Sequence, residues 1–95
     1  MILVVDSGST KTDWIALDNS GKIKFSTQTR GMNPQVLSSS IISERIINNF
    51  DLYHNRNSVS KIFFYGAGCG VSSAVNRILK VFQTIFKNSK FDIKE

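Results

Sequence analysis

The chain has one cysteine, one proline and one histidine in 95 residues, and each scarcity removes a class of protein. Cys69 alone cannot close an internal disulfide, and neither it nor His54 can hold a structural metal unaided. Long apolar runs are missing as well. The longest, Met1 to Val5, falls far short of the roughly 18 residues of a membrane-spanning helix and of a signal peptide's apolar core. The expectation is a cytoplasmic chain with no membrane partner. No lysine or arginine neighbours another, so the net charge of +5 is spread rather than concentrated. Residues 51–95 carry seven basic and three acidic side chains, spaced singly among apolar positions with no interleaved aromatics to stack on bases. That pattern is a solvated surface, and no nucleic acid is expected as a partner. Linkers, repeats and low-complexity blocks are absent, so residues 1–95 form one unit. What is present, 41% hydrophobic and 11% aromatic residues, is enough for a single packed core.

Met1 to Val5 is continuously apolar and β-branched, the pattern of a strand buried on both faces at the centre of a sheet. Thr12–Asp18 is a second strand. After the turn cluster Asp18-Asn19-Ser20-Gly21 comes a third, Lys22–Thr29, with Ile23, Phe25 and Thr27 alternating with polar residues. Asn33 before the only proline predicts a helix with Asn33 as N-cap and Pro34 at its first position, running to about Phe50. Asn55, Asn57 and Ser58 mark a loop. Val59–Tyr65 is a fourth strand, halted by Gly66-Ala67-Gly68-Cys69-Gly70. The spacing of Val71, Ala74, Val75, Ile78, Leu79, Phe82, Ile85 and Phe86 predicts an amphipathic helix, and Phe91–Lys94 a last strand. The order βββαβαβ implies an α/β fold: a mixed sheet in the order 3-2-1-4-5 with helices packed on it.

Chemistry is concentrated in Asp6-Ser7-Gly8-Ser9-Thr10-Lys11-Thr12, at the carboxyl end of the central strand. Gly8 permits a tight turn, and Ser9, Thr10 and Thr12 add hydroxyls to the turn amides, a combination that suits phosphate oxygens. The Walker spacing is absent and a strand follows instead of a helix, so turn amides, hydroxyls and Lys11 would hold the anion without a helix dipole. Asp6 is placed to orient a hydrated Mg²⁺. The second glycine-rich loop ends the neighbouring strand, and two permissive loops on adjacent carboxyl ends form a cleft of the kind open α/β sheets use.

These residues carry a resemblance. Asp6 to Thr12 followed by a hairpin resembles the first phosphate motif, Asp-x-Gly-x-Thr, of the sugar kinase, heat-shock-protein and actin superfamily. Gly31-Met32-Asn33-Pro34 and Tyr65-Gly66-Ala67-Gly68-Cys69 resemble the N-acetylglucosamine kinase-like branch, grouped with the BadF/BadG/BcrA/BcrD ATPases. The resemblance spans nearly the whole chain and corresponds to the N-terminal half of an actin-like ATPase fold, ribonuclease H-like in its strand order. It implies an ATP-dependent kinase acting on N-acetylglucosamine or a related amino sugar, with ATP and Mg²⁺ as cofactors. Gly8, Ser9, Thr10, Lys11 and Thr12 would bind the phosphates, Asp6 would hold Mg²⁺ through water, Asn33 would bond a sugar hydroxyl, and Gly68 and Cys69 would line the sugar pocket.

Each of these residues also has a plain structural reading. Asn33 is accounted for as an N-cap, Cys69 as a small buried hydrophobe, Lys11 as a solvated cation, and Trp14 with Phe63-Phe64-Tyr65 as core; His54 has no assigned role. The family's general-base aspartate is expected beyond Glu95, and Asp92, inside a strand, is not assigned to it. The expectation is therefore a kinase piece with a partner-facing surface, a homodimer being compatible with it. Two other readings are an ATPase activator of a 2-hydroxyacyl-CoA dehydratase-type enzyme, which needs cluster-binding cysteines, and a non-catalytic nucleotide-binding module. Type III pantothenate kinase shares the phosphate loop but not the Gly66 to Cys69 stretch.

Overall fold

The computed structural model describes all residues, Met1–Glu95. Strand β1 (Ile2–Ser7) lies at the middle of a five-stranded sheet, flanked by β2 (Lys11–Leu17) and β4 (Lys61–Gly66), with β3 (Ile23–Arg30) and β5 (Lys90–Lys94) at the edges. The order 3-2-1-4-5 is the one the sequence predicts. β1 pairs antiparallel with β2 and parallel with β4, and β5 runs parallel to β4. Strands β1 and β4 each extend past the apolar stretch, which carries Ser7 and Gly66 into the ladder at the same level as Thr12.

Both long helices, α1 (Ser39–Ile47) and α3 (Ser72–Ile85), cover one face of the sheet. Leu3, Val5, Trp14, Ala16, Ile62 and Phe64 point to that face and join Ile42, Ile46, Ile78 and Phe82 in one buried cluster. Trp14 is fully buried against Phe82, edge-on, and Phe86, tilted, at centroid distances of 6.3 and 6.5 Å. Its indole N–H is satisfied by the Thr29 hydroxyl at 3.0 Å, as a buried indole requires.

Burial on both faces of β1 is not what the structure shows. Ile2 and Val4 are half-buried, and with Ile15, Leu17, Phe63 and Tyr65 they form an open second face. The side-chain period of two puts alternate residues of each strand there, and no helix lies over them. Tyr65 is accordingly 44% exposed rather than core. Lys61 partly shields the stripe by extending over the Phe63 ring at 5.1 Å. No helix is long and apolar enough to cross a membrane.

The first predicted helix is corrected as well. Pro34–Leu37 forms a turn, in which the Asn33 carbonyl accepts from Val36 N at 3.2 Å and Leu37 N at 3.0 Å. Ser38, not Asn33, caps α1, its hydroxyl accepting from Ile41 N. Three consecutive serines compete for the start, and serine favours caps over helix interiors. The same competition divides the far end: the Asn49 side chain accepts from Leu52 N and opens the short helix α2 (Phe50–His54), so one helix to Phe50 becomes two. A 3-10 turn, Arg56–Ser58, leads into β4. Helix α3 follows its predicted stripe, except that Val81 is buried and Val71 is 51% exposed.

The cap assignment is testable. Ser38→Ala should lower stability by about 1 kcal/mol in urea unfolding, whereas Asn33→Ala should leave the helical circular dichroism signal and the amide protection of α1 unchanged.

Candidate phosphate and polyol site

Three segments distant in sequence meet at the carboxyl end of β1, and their contacts are made by backbone. The turn Gly8-Ser9-Thr10-Lys11 is closed by Gly8 N donating to the Lys11 carbonyl at 2.8 Å. Gly31 N donates to the Thr10 carbonyl at 2.9 Å, and Ala67 N to the Ser7 carbonyl at 2.9 Å. Gly31 lies so close that an added Cβ would run into the Ser9 carbonyl. Gly68, at φ +84°, occupies the left-handed region, and a Cβ there would collide with the Asn33 carboxamide. The Gln35 side chain closes the third side by donating to the Gly68 carbonyl at 3.3 Å. The predicted phosphate turn, Asn33 and the glycine-rich loop thus form one cluster.

The turn leads into β2 with no helix behind it. Asp6, Gly8, Ser9, Thr10 and Lys11 are exposed. The amides of Ser9, Thr10, Gly68 and Gly70 donate to no acceptor in the protein, which leaves them for an outside oxygen. Gly8 is not required by conformation: its φ is ordinary and an added Cβ would meet only the Lys11 carbonyl, at 3.5 Å. An open groove of about 560 Å³ runs from Thr10 and Lys11 toward Arg30 and Arg45, with no acidic side chain in its wall.

Thr12 is the member of the predicted phosphate set that the structure turns inward. It is fully buried. Its hydroxyl donates to the Arg30 carbonyl at 3.1 Å and lies 2.9 Å from the Ser7 hydroxyl, so it offers nothing to a ligand. Ser7, which sequence reasoning passes over, is the buried residue the others join. Its hydroxyl accepts from Met32 N at 3.2 Å.

The stretch around Asn33 is clamped from both helices. The Arg45 guanidinium donates to the Gly31 carbonyl and that of Arg77 to the Pro34 carbonyl. Two cations that the charge pattern assigns to solvent are therefore structural. The Asn33 carboxamide oxygen accepts from Gln35 N at 2.9 Å, leaving its amide nitrogen without a protein acceptor. Asn33 caps no helix, yet its side chain caps the Pro34–Leu37 turn, so the structural reading of that residue holds for the turn and not for α1.

Asp6 stands directly opposite Asp13 across the β1–β2 ladder. Like charges in that position repel. Asp13 is partly compensated by Gln28 Nε2 at 2.6 Å and by Lys11 Nζ at 4.0 Å. The hairpin register carried this pair: a turn closing between Ser7 and Thr12 places residue 6 against residue 13. No three side chains of the metal-ligating types gather in one place.

Cys69 is 5% exposed and belongs to the core cluster. Burial pushes its thiol above the ordinary value, and the nearby Glu95 carboxylate adds to the shift. Glu95 packs against Gly70, 2.8 Å from where a Cβ on that residue would sit, a contact no sequence pattern signals.

No family model matches the sequence, and no curated protein matches it. Among solved structures, the chain is similar to the crystal structure described as the "Putative N-acetylglucosamine Kinase" of Porphyromonas gingivalis, at 29% identity and a TM-score of 0.83 over 99% of this chain. The chain has a kinase-like fold. It spans 33% of that protein's length.

Two experiments probe the cluster. Gly31→Ala should lower stability by about 2 kcal/mol or more, because the obstacle is the Gly8–Ser9 backbone, while Gly8→Ala should stay within about 0.5 kcal/mol. The Cys69 thiol, raised in the fold, contributes fully below the unfolded thiol value near ~8.5 and loses that contribution as pH climbs through the folded value. Urea midpoints should therefore fall from pH 8 to 10.5 more steeply in the wild type than in Cys69→Ala.

Proposed function

We propose that the chain is the phosphate-holding part of an ATP-dependent sugar kinase that phosphorylates a hydroxyl of N-acetylglucosamine or a related amino sugar. The observation that carries this reading is the convergence of the Gly8–Lys11 turn, Asn33 and Gly68 on one patch with unused amide donors. The likeness to a solved structure with the printed name of such a kinase supports the sugar class.

ATP with Mg²⁺ supplies the transferable phosphoryl group and the neutralising charge. In this chain the Ser9 and Thr10 amides and hydroxyls, with the Lys11 ammonium, hold phosphate oxygens. The carboxylate pair Asp6 and Asp13, only partly compensated by Gln28 and Lys11, suits a hydrated cation, which would relieve the repulsion between them. ATP phosphates would complete such a site, since Mg²⁺ in this setting takes one or two carboxylates together with phosphate oxygens and waters. Asn33 presents its free amide nitrogen to a sugar hydroxyl, Gly68 leaves space beside it, and Cys69 backs the pocket as an inert wall. No residue here is assigned as general base. Phosphoryl transfer needs in-line positioning and charge cover from all sides, so these 95 residues are given the holding role and turnover is left to the complete cleft.

Titration of ¹⁵N-labelled protein with Mg·ATP checks the reading. Shifts should concentrate at Gly8–Lys11, and Asp6→Ala should weaken Mg·ATP binding by about tenfold, the usual scale for removing a group that holds a metal through water, with little effect on ATP in EDTA. Absence of any shift in the turn, or an Asp6→Ala effect equal with and without Mg²⁺, would count against it.

A further inference from the structure

The hydroxyls of Ser7 and Thr12 form a chain whose direction is fixed by counting protons. Thr12 has one hydroxyl hydrogen and gives it to the Arg30 carbonyl. Ser7 must then donate to Thr12 across their 2.9 Å contact, which leaves the Ser7 oxygen to accept from Met32 N. The relay runs from the Met32 amide through Ser7 and Thr12 to the Arg30 carbonyl, every member buried or in the backbone. It bridges the two ends of the Arg30–Met32 segment to β1 and β2, immediately before Asn33.

Ser7 also meets the glycine-rich loop, but through its carbonyl, which accepts from Ala67 N. The turn Gly8–Lys11 is closed by its own backbone bond. The Ser7 side chain therefore governs only one of the three segments, the one bearing Asn33. At 3% exposure it has no surface with which to touch a ligand.

Resting on the kinase reading above, we propose that Ser7 is a positioning residue: its hydroxyl sets Asn33 against Gly68 and so tunes the polyol side of the site more than the phosphate side. Removing the hydroxyl leaves the buried Met32 amide without an acceptor, while Thr12 keeps the Arg30 carbonyl, and an unpaired buried group relaxes by moving. The segment that responds is residues 31–33, because the hairpin keeps its ladder while Met32 loses the acceptor of its amide; the Thr10 carbonyl and the Arg45 guanidinium still hold Gly31.

The experiment measures two affinities by ¹⁵N shifts on the full chain, for N-acetylglucosamine and for Mg·ATP, in the wild type, Ser7→Ala and Ser7→Thr. Ser7→Ala should weaken N-acetylglucosamine about tenfold, the order of one lost hydrogen bond, while Mg·ATP changes less than about twofold. Met32 and Asn33 amides should shift in the free variant and Ala67 should not. Ser7→Thr, which keeps the hydroxyl, should restore sugar affinity. If Ser7→Ala does not fold, Thr12→Val removes the next link of the relay and should give the same split at smaller size. Equal losses for both ligands, or none, in a folded variant overturn the positioning role while leaving the kinase reading in place. A wild-type chain that binds neither ligand overturns both. A wild type that binds Mg·ATP but not the sugar overturns the positioning role and the amino-sugar assignment, and spares the nucleotide assignment.

Discussion

The position of the site follows from register. Ser7 pairs with Thr12 on one side and with Gly66 on the other, so three chain segments leave the sheet at one level. Shifting either pairing by a residue would turn Ser7 outward and Asp6 into the core, since side chains alternate. That penalty, a buried carboxylate against a lost buried hydroxyl pair, is what holds the register. Everything functional attaches to it: the turn starts one residue later, the glycine-rich loop one residue after Gly66, and the Gly31 stretch is tied to both.

Glycine serves this arrangement in two ways. At Gly31 the need is room, because the Ser9 backbone already fills the space a side chain would take. At Gly68 it is conformation as well, the positive φ bringing the loop against Asn33. The arginines supply what these glycines cannot, an anchor for carbonyls, with Arg45 and Arg77 reaching in from separate helices. The stretch is fixed because its backbone groups are answered individually while Met32 is buried in the core.

The strand order was legible because the elements differ so plainly in pattern: a pure apolar run, an alternating strand after an Asp-Asn-Ser-Gly turn, and a helix with strict spacing from Ala74 to Phe86. The turn at Asp18 reads true, its carboxylate accepting from Ser20 N at 2.9 Å and Lys22 N at 3.0 Å. The one-sided burial of β1 was not legible, because Val and Ile satisfy a half-covered face as readily as a covered one. Nor was the start of α1: Asn-Pro and a serine run are both start signals, and local hydrogen bonding chose the later. Within the site, the turn residues were visible as donors, but the inward face of Thr12 depends on β-strand parity measured from Ser7, and the opposition of Asp6 and Asp13 on the same parity. Arg45 and Arg77 could not be told from solvated cations, because their acceptors lie 14 and 43 residues away.

The parallel pairing of β1 with β4 has a further meaning for how this molecule comes into being. The β1–β2 hairpin can close once Leu17 has been made, yet the wall formed by residues 66–70 joins it only after a crossover spanning two helices. Contacts of such separation form late, after the cost of closing the intervening loop. During synthesis, then, the turn of residues 8–11 forms before the wall at residues 66–70, and the candidate cluster is complete only once the fourth strand has cleared the ribosome. A hairpin cut out by itself would carry the motif and none of the pocket.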